Sequence, residues 1–243
     1  MEKWLERTEL LLGKKVLEQL KNTKILIVGL GGVGSFAAEF LARAGVGQFT
    51  LVDADVFDVT NINRQLPALH STIGQSKAKV LAARLQDISP NIQLKVIEDF
   101  VTPEKIDLLL AEKYDYVLDC IDSITPKLHL LYTASQKKYT VFSSMGAGGK
   151  VDPSKIKIGF LSGTIQCKLA RTIRKRLKKM DKNLDFKVVY STEIVRESSL
   201  HLTDGTNFKK SFYGTISYLP AAFGLHLAAA VVQEIEKNTK VLS

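Results

Sequence analysis

A glycine-rich turn, two cations and two aspartates are spaced along the first half of this sequence in a way that suits chemistry on phosphates. Gly29-Leu30-Gly31-Gly32-Val33-Gly34 follows the apolar run Lys24-Ile25-Leu26-Ile27-Val28 and precedes a helical stretch. In that strand-turn-helix context the missing side chains let the backbone turn sharply and approach a ligand. Amides at the helix start then face its phosphates or ribose. Asp53 lies near the offset of roughly 20 residues at which an acidic side chain accepts from ribose hydroxyls. These features alone fit a nicotinamide oxidoreductase as well as an ATP enzyme, and a tight turn without a ligand is the plainer alternative.

Arg64, in Asn61-Ile62-Asn63-Arg64-Gln65, and Lys77, just after Gly74-Gln75-Ser76, separate those readings. An arginine fork and a lysine point charge suit polyphosphate oxygens, and a nicotinamide cofactor does not need them. Asp119-Cys120-Ile121-Asp122 ends another apolar run. A carboxylate facing phosphates is repelled unless a divalent cation lies between them, so Asp122 reads as a magnesium ligand. Each residue singly is also consistent with a surface charge or a helix cap. Their shared position at strand ends argues for a site.

The elements that must position these residues follow from periodicity. Strands are expected over 24–28, 48–53, 93–97, 114–120 and 139–144, alternating with helices over 35–44, 77–88, 103–112 and 126–138. That alternation implies parallel pairing with right-handed crossovers. Residues 1–150 are therefore expected to form a doubly wound, Rossmann-like, mostly parallel α/β domain. Beyond Gly146-Ala147-Gly148-Gly149, residues 151–243 are expected to be a C-terminal extension packed on it. Strands over 155–161 and 186–190 flank a helix over 168–180. Residues 191–210 show no regular pattern and read as a lid, with plain disorder as the alternative. A largely apolar helix over 220–236 closes the chain.

The chain has 243 residues, with 34 Lys and Arg against 25 Asp and Glu, a formal charge of +9. It is long enough to bury about 70–75% of the surface its unfolded form exposes, and its composition excludes disordered and collagen-like classes. Its two cysteines, Cys120 and Cys167, form neither a disulfide framework nor a Cys-x-x-Cys zinc pair. A reducing, cytoplasmic location is expected. Charges interrupt the first seven residues, so no secretory signal is expected. The apolar stretch 219–232 falls short of the ~20 residues needed to span a bilayer, so no membrane insertion is expected either.

Between residues 168 and 182, Lys168, Arg171, Arg174, Lys175, Arg176, Lys178, Lys179 and Lys182 stand against one acid, Asp181. Leu169, Ile173, Leu177 and Met180 share a face at helical spacing, so this helix is expected to dock through them and present its charge outward. Such a concentration favours a phosphate-rich partner, nucleic acid before anionic membrane. His129, His201 and His226 have no evident partners.

Gly29-x-Gly31-Gly32-x-Gly34, Asp53-Ala54-Asp55, Asn61-x-x-Arg64-Gln65, Gly74-x-x-Lys77 and Asp119-x-x-Asp122 resemble the adenylation site of the ubiquitin-activating-enzyme superfamily. That superfamily includes the molybdopterin- and thiamine-pathway adenylating enzymes. The resemblance covers residues 1–150 and implies an ATP site of Gly29, Gly31, Gly32, Gly34, Asp53, Asp55, Asn61, Arg64, Gln65, Lys77 and Asp122. It places Asp53 on the ribose, Asn61, Arg64 and Lys77 on the triphosphate, and Mg2+ on Asp122. Arg7 matches the arginine that these enzymes insert into the neighbouring subunit's site, which implies a homodimer with helix 1–22 in the contact. The implied catalytic set is Asp122, Lys77, Arg64 and Arg7.

The later segments 144–153, 188–193 and 214–224 resemble the tRNA threonylcarbamoyladenosine dehydratase branch of the superfamily. This implies ATP-dependent cyclisation of threonylcarbamoyladenosine in tRNA, by adenylation of the threonyl carboxylate and displacement of AMP by the neighbouring carbamoyl group. The basic helix, from Lys168 to Lys179, would then bind tRNA. The alternative is adenylation of the C-terminus of a ubiquitin-like sulfur-carrier protein, and sulfur-transfer proteins are possible partners. Two departures from the branch, Trp4 in the N-terminal arginine motif and Cys167-Lys168 before the basic helix, touch none of the nucleotide contacts.

Overall fold

A computed structural model describes residues 2–181, 184–202 and 211–241. Short apolar runs form the parallel strands β1 (Lys24–Val28), β2 (Gln48–Val52), β3 (Gln93–Ile97), β4 (Tyr116–Asp119) and β5 (Thr140–Ser144). The sheet continues past β5 with β7 (Lys187–Ser191), which is parallel, and then β6 (Ile156–Phe160), which runs antiparallel at the edge. Strand order is β3-β2-β1-β4-β5-β7-β6. The chain winds one way from β1 and the other way from β4. The carboxyl ends of those two neighbours thus open a crevice where the order reverses, the usual ligand position of such sheets.

Alternation along β1 divides the core in two. Ile25 and Ile27 face α2 (Lys14–Asn22), α3 (Gly34–Ala44), α4 (Lys77–Ile88) and α8 (Tyr218–Val241). Leu26 and Val28 face α5 (Pro103–Leu109), α6 (Ile124–Gln136) and α7 (Lys168–Met180). Central strands such as β1 are covered on both faces and are near-continuous apolar runs, whereas the edge strands β3 and β6 carry exposed residues.

Several expected boundaries move. The N-terminal helix breaks at Gly13, at φ +85°, into α1 (Glu6–Leu12) and α2. Pro126 lies in the first turn of α6 and Pro220 in that of α8, where a missing N–H costs nothing. Met180, expected on the docking face of α7, is exposed in its last turn, and Ala170 packs in its place beside Ile173 and Leu177. The segment expected to be irregular, 191–210, contains the end of β7, a 3-10 turn at Glu197–Ser199 and β8 (Leu200–Leu202), which pairs antiparallel with β9 (Ser211–Tyr213) just beyond it. Residues 203–210 and Lys182 lie outside the described residues.

Helix α8 is long and apolar enough to cross a membrane by length and composition, but half of the apolar window is buried inside the fold. It lies on α3 so closely that a Cβ on Gly224 would come 2.6 Å from the Val33 carbonyl oxygen and 2.9 Å from the Ala37 nitrogen. We expect Gly224→Ala to force α8 off α3 and lower the unfolding free energy by about 1–3 kcal/mol, measured by urea denaturation.

Candidate functional site

The crevice between β1 and β4 is floored by backbone. Gly29, at φ +90°, turns the chain off β1, and a Cβ there would lie 2.8 Å from the Cys120 carbonyl oxygen at the end of β4. A Cβ on Gly34 would lie 1.9 Å from the Gly29 carbonyl oxygen, so the turn closes only without side chains. Asp53 holds the turn from the β2 side. Its carboxylate accepts from the Leu30 amide at 2.6 Å and the Asp55 amide at 2.9 Å. Burial pushes this carboxyl up, and the Lys77 charge pulls it back down.

Lys77 is the first residue of α4, which is capped by the Ser76 side chain. Its ammonium is buried and pairs at 2.8 Å with the exposed carboxylate of Asp55. A buried cation whose salt-bridge partner faces solvent is well placed to exchange that partner for an anionic ligand. Arg64 comes from the turn after β2. Its Nη1 donates to the Thr60 carbonyl at 2.8 Å and to Asn63 Oδ1 at 2.9 Å. Burial lowers the Arg64 pKa from the usual arginine value, and the nearby Asp122 carboxylate opposes that. Arg64 and Asp122, which the sequence separates by two helices and two strands, thus interact across the crevice.

Asn61 shapes the turn that carries Arg64. Its side-chain oxygen accepts from the Asp58 amide at 3.2 Å, and its backbone carbonyl accepts from the Arg64 and Gln65 amides, both at 3.0 Å. Gln65 is buried against Gly31, and its side-chain oxygen has no hydrogen-bond partner. The cradle therefore offers backbone approach, a buried ammonium, a guanidinium and an unsatisfied acceptor. Those groups fit a nucleotide's phosphates on one side and its hydroxyl or amine donors on the other. Among the described residues there is no group of three or more His, Cys, Asp or Glu that could hold a metal ion.

Lys127 and Asp119, which sequence reading left without a role, lie beneath Asp122. Both are fully buried, 2.6 Å apart. Lys127 also donates to the Ile121 carbonyl at 2.9 Å and the Ser144 carbonyl at 2.7 Å. Asp119 accepts from Ser143 Oγ at 2.6 Å and the Ile121 amide at 3.1 Å. Burial pushes the Asp119 carboxyl up while the lysine draws it down. The pair knots the ends of β4 and β5 and fixes the backbone one residue before Asp122. Its signal was a lysine on the apolar face Lys127, Leu130, Leu131 and Ala134 of α6. On the far side of β5, the turn at Lys150 is held by the Lys150 ammonium on the Ser191 carbonyl, at 3.0 Å. Glu193 accepts there from the Val151 and Asp152 amides.

The remaining expected residues divide. Arg7 is exposed on α1, and among the described residues no hydrogen bond or ion pair joins it to the crevice. On α7, Arg174 is spent on the Leu161 and Thr164 carbonyls and Thr164 Oγ1, and Lys168 is paired with Glu197 at 2.5 Å. Arg171, Lys175, Arg176, Lys178 and Lys179 stay exposed. We expect Lys127→Met to cost about 3–5 kcal/mol of stability by stranding a buried carboxylate. Asp119→Asn combined with it should cost less than the sum of the two, read by urea unfolding.

Comparison with known proteins agrees with this geometry. The family model described as ThiF family matches residues 5–241. The chain is 37% identical over 242 residues to tRNA threonylcarbamoyladenosine dehydratase of Bacillus subtilis, covering 97% of this chain and 95% of that one. It is 42% identical over 193 residues to the protein of that name from Escherichia coli, covering 78% of this chain and 70% of the relative. The crystal structure of the Escherichia coli tRNA N6-threonylcarbamoyladenosine dehydratase in complex with ATP superposes with a TM-score of 0.90 at 34% identity. The match covers 100% of this chain and 99% of that one. Matched almost end to end in sequence and in fold, this chain belongs to the ThiF family.

Proposed function

We propose that this protein is an ATP-dependent tRNA threonylcarbamoyladenosine dehydratase. The observation that carries the reading is the placing of Lys77 and of Arg64, with Asp122 near it, around a glycine-rich turn at the sheet's switch point, in a chain whose relatives matched almost end to end bear that name. Residues 1–150 supply the ATP site, and residues 151–243 the surface for RNA.

A carboxylate is a poor acyl donor because its leaving group would be an oxide. Coupling to AMP replaces that group with a phosphate ester. Attack of the threonyl carboxylate on the α-phosphate releases pyrophosphate, and the carbamoyl group of the same nucleoside then displaces AMP, with net loss of one water. Negative charge builds on the α-phosphate and on the departing pyrophosphate. Arg64 and Lys77 are stationed to stabilise it more in the transition state than in the ground state. Lys77 leaves Asp55 for phosphate oxygens, Asp53 accepts from the ribose, and Gln65 and Asn61 line the same pocket. Asp122 would hold Mg2+ together with the phosphates, and the ion would neutralise the phosphate charge that the carboxylate nucleophile must approach.

Two copies complete the site in this reading. Arg7 reaches the neighbouring subunit's crevice, and the flanking Leu10 and Leu11, 82% and 81% exposed, bury themselves in the contact. The exposed cations Arg171, Lys175, Arg176, Lys178 and Lys179 steer the RNA phosphates. The nucleophile of the second step lies in the substrate, so no enzyme thiol is needed. Cys120 and Cys167 suit that: burial pushes the Cys120 thiol far up, and Cys167 is buried at the start of α7. Such a thiol-bearing enzyme belongs in the reducing cytoplasm.

Incubation with ATP, Mg2+ and tRNA, followed by nucleoside mass spectrometry, should convert threonylcarbamoyladenosine to a product lighter by one water. Unchanged tRNA together with an adenylated sulfur-carrier C-terminus would replace this reading by the carrier-activating one. Lys77→Ala and Asp122→Ala should each lower turnover about a hundredfold or more while leaving the urea midpoint near that of the parent.

A further inference from the structure

The β8–β9 hairpin stands beside the crevice on a fixed root. The Gly149 amide donates to the Gly214 carbonyl at 2.8 Å, the Gly214 amide to Ser199 at 2.9 Å, and the Arg196 amide to Gly149 at 2.8 Å. From the other wall, Asn63 Nδ2 donates to the Thr215 carbonyl at 3.0 Å, one residue from Arg64. The hairpin thus rises between the Arg64 turn and the turn that ends β5, at the mouth of the nucleotide cradle.

Its two faces differ. Tyr213, on one face, packs over Gly148 and Gly149, and its hydroxyl meets Lys168 of α7 at 3.2 Å and Glu197 at 3.2 Å. His201 and Phe212 are direct cross-strand partners, so they project together from the opposite face. Their rings lie 5.0 Å apart at 41°, and both are exposed, Phe212 at 51%. The other face of the same hairpin meets α7, the most basic helix of the chain, through Tyr213 and Lys168. An exposed aromatic pair on an element anchored to a basic helix suits an unpaired nucleobase, because every base has a stacking face and every nucleotide a phosphate.

We propose that the His201–Phe212 pair is a stacking platform for an unpaired base of the RNA loop that carries the reacting nucleoside, holding that loop over the crevice. The proposal rests on the function given above. It differs from the binding expected of α7, which is electrostatic and indifferent to whether the bases are paired.

The probe is an anticodon stem-loop RNA bearing threonylcarbamoyladenosine, with 2-aminopurine at the next unpaired position on its 3′ side, titrated with the full-length protein. Stacking should quench the fluorescence on binding. Phe212→Ala should abolish most of the quench and raise KM for the RNA about tenfold, the loss falling on KM rather than kcat. Phe212→Trp should restore both, and ATP binding should stay at the parent level as evidence of folding. If the parent dehydrates the RNA while Phe212→Ala keeps its quench and KM, the platform is wrong and the function stands. If Phe212→Ala instead dissociates the protein in sedimentation velocity, the pair is a contact between copies and the proposal also fails. A parent protein that leaves the RNA unchanged would overturn the functional reading and the platform together.

Discussion

The ion pair between Lys127 and Asp119 is the constraint on which the reactive edge of the sheet depends. Two opposite charges with no exposure to solvent are held only because every remaining donor and acceptor on them finds a partner: Ile121, Ser143 and Ser144. In the low dielectric of the core, a displaced partner would leave an uncompensated charge, so the arrangement has one geometry. That geometry sets the ends of β4 and β5 and the backbone leading to Asp122. It also backs the glycine turn, since Gly29 and Gly34 close directly on Cys120. Specificity of position, more than net stability, is what such a buried pair contributes here.

Above this floor the crevice is an arrangement of charges that are individually strained and mutually supportive. Lys77 is buried beside an exposed carboxylate, and Arg64 is partly desolvated opposite Asp122. Asp53 divides its oxygens between two backbone amides. Each group has given up water for a partner within the protein, and in the proposed reading ATP oxygens would take the place of Asp55 on Lys77. Little reorganisation is then needed when charge develops, which is the physical content of electrostatic preorganisation.

The C-terminal third completes this site as well as extending it. Strand β7 adds to β5, and α8 seals α3 through Gly224. The Pro220 ring crowds Gly32, where a Cβ would come 3.0 Å from it. Helix α7 is divided in function: its apolar side and Arg174 belong to the fold, and its outer cations face solvent. Charge on this helix is therefore a poor guide to which residue does what, because a guanidinium can cap carbonyls as readily as it can meet a phosphate.

Local signals were legible without coordinates. The apolar runs of β1, β4 and β5, the helices 77–88 and 168–180, the placing of Asp53 and Asp122 just after strands and that of Lys77 at a helix start all follow from periodicity and from glycine and proline chemistry within a few residues. The pairings that make these elements a site are different in kind. Asn63 with Thr215 spans 152 positions and Lys127 with Ser144 spans 17, and the antiparallel turn of β6 depends on which strand was left at the edge. Met180 lost its place to Ala170, and Lys127 gained one, because burial is decided by what packs opposite a residue. Hydrophobic period and backbone preference are properties of a short stretch of chain and can be read along it. The partners of a buried charge or an exposed ring are fixed only when the strand order brings distant segments together.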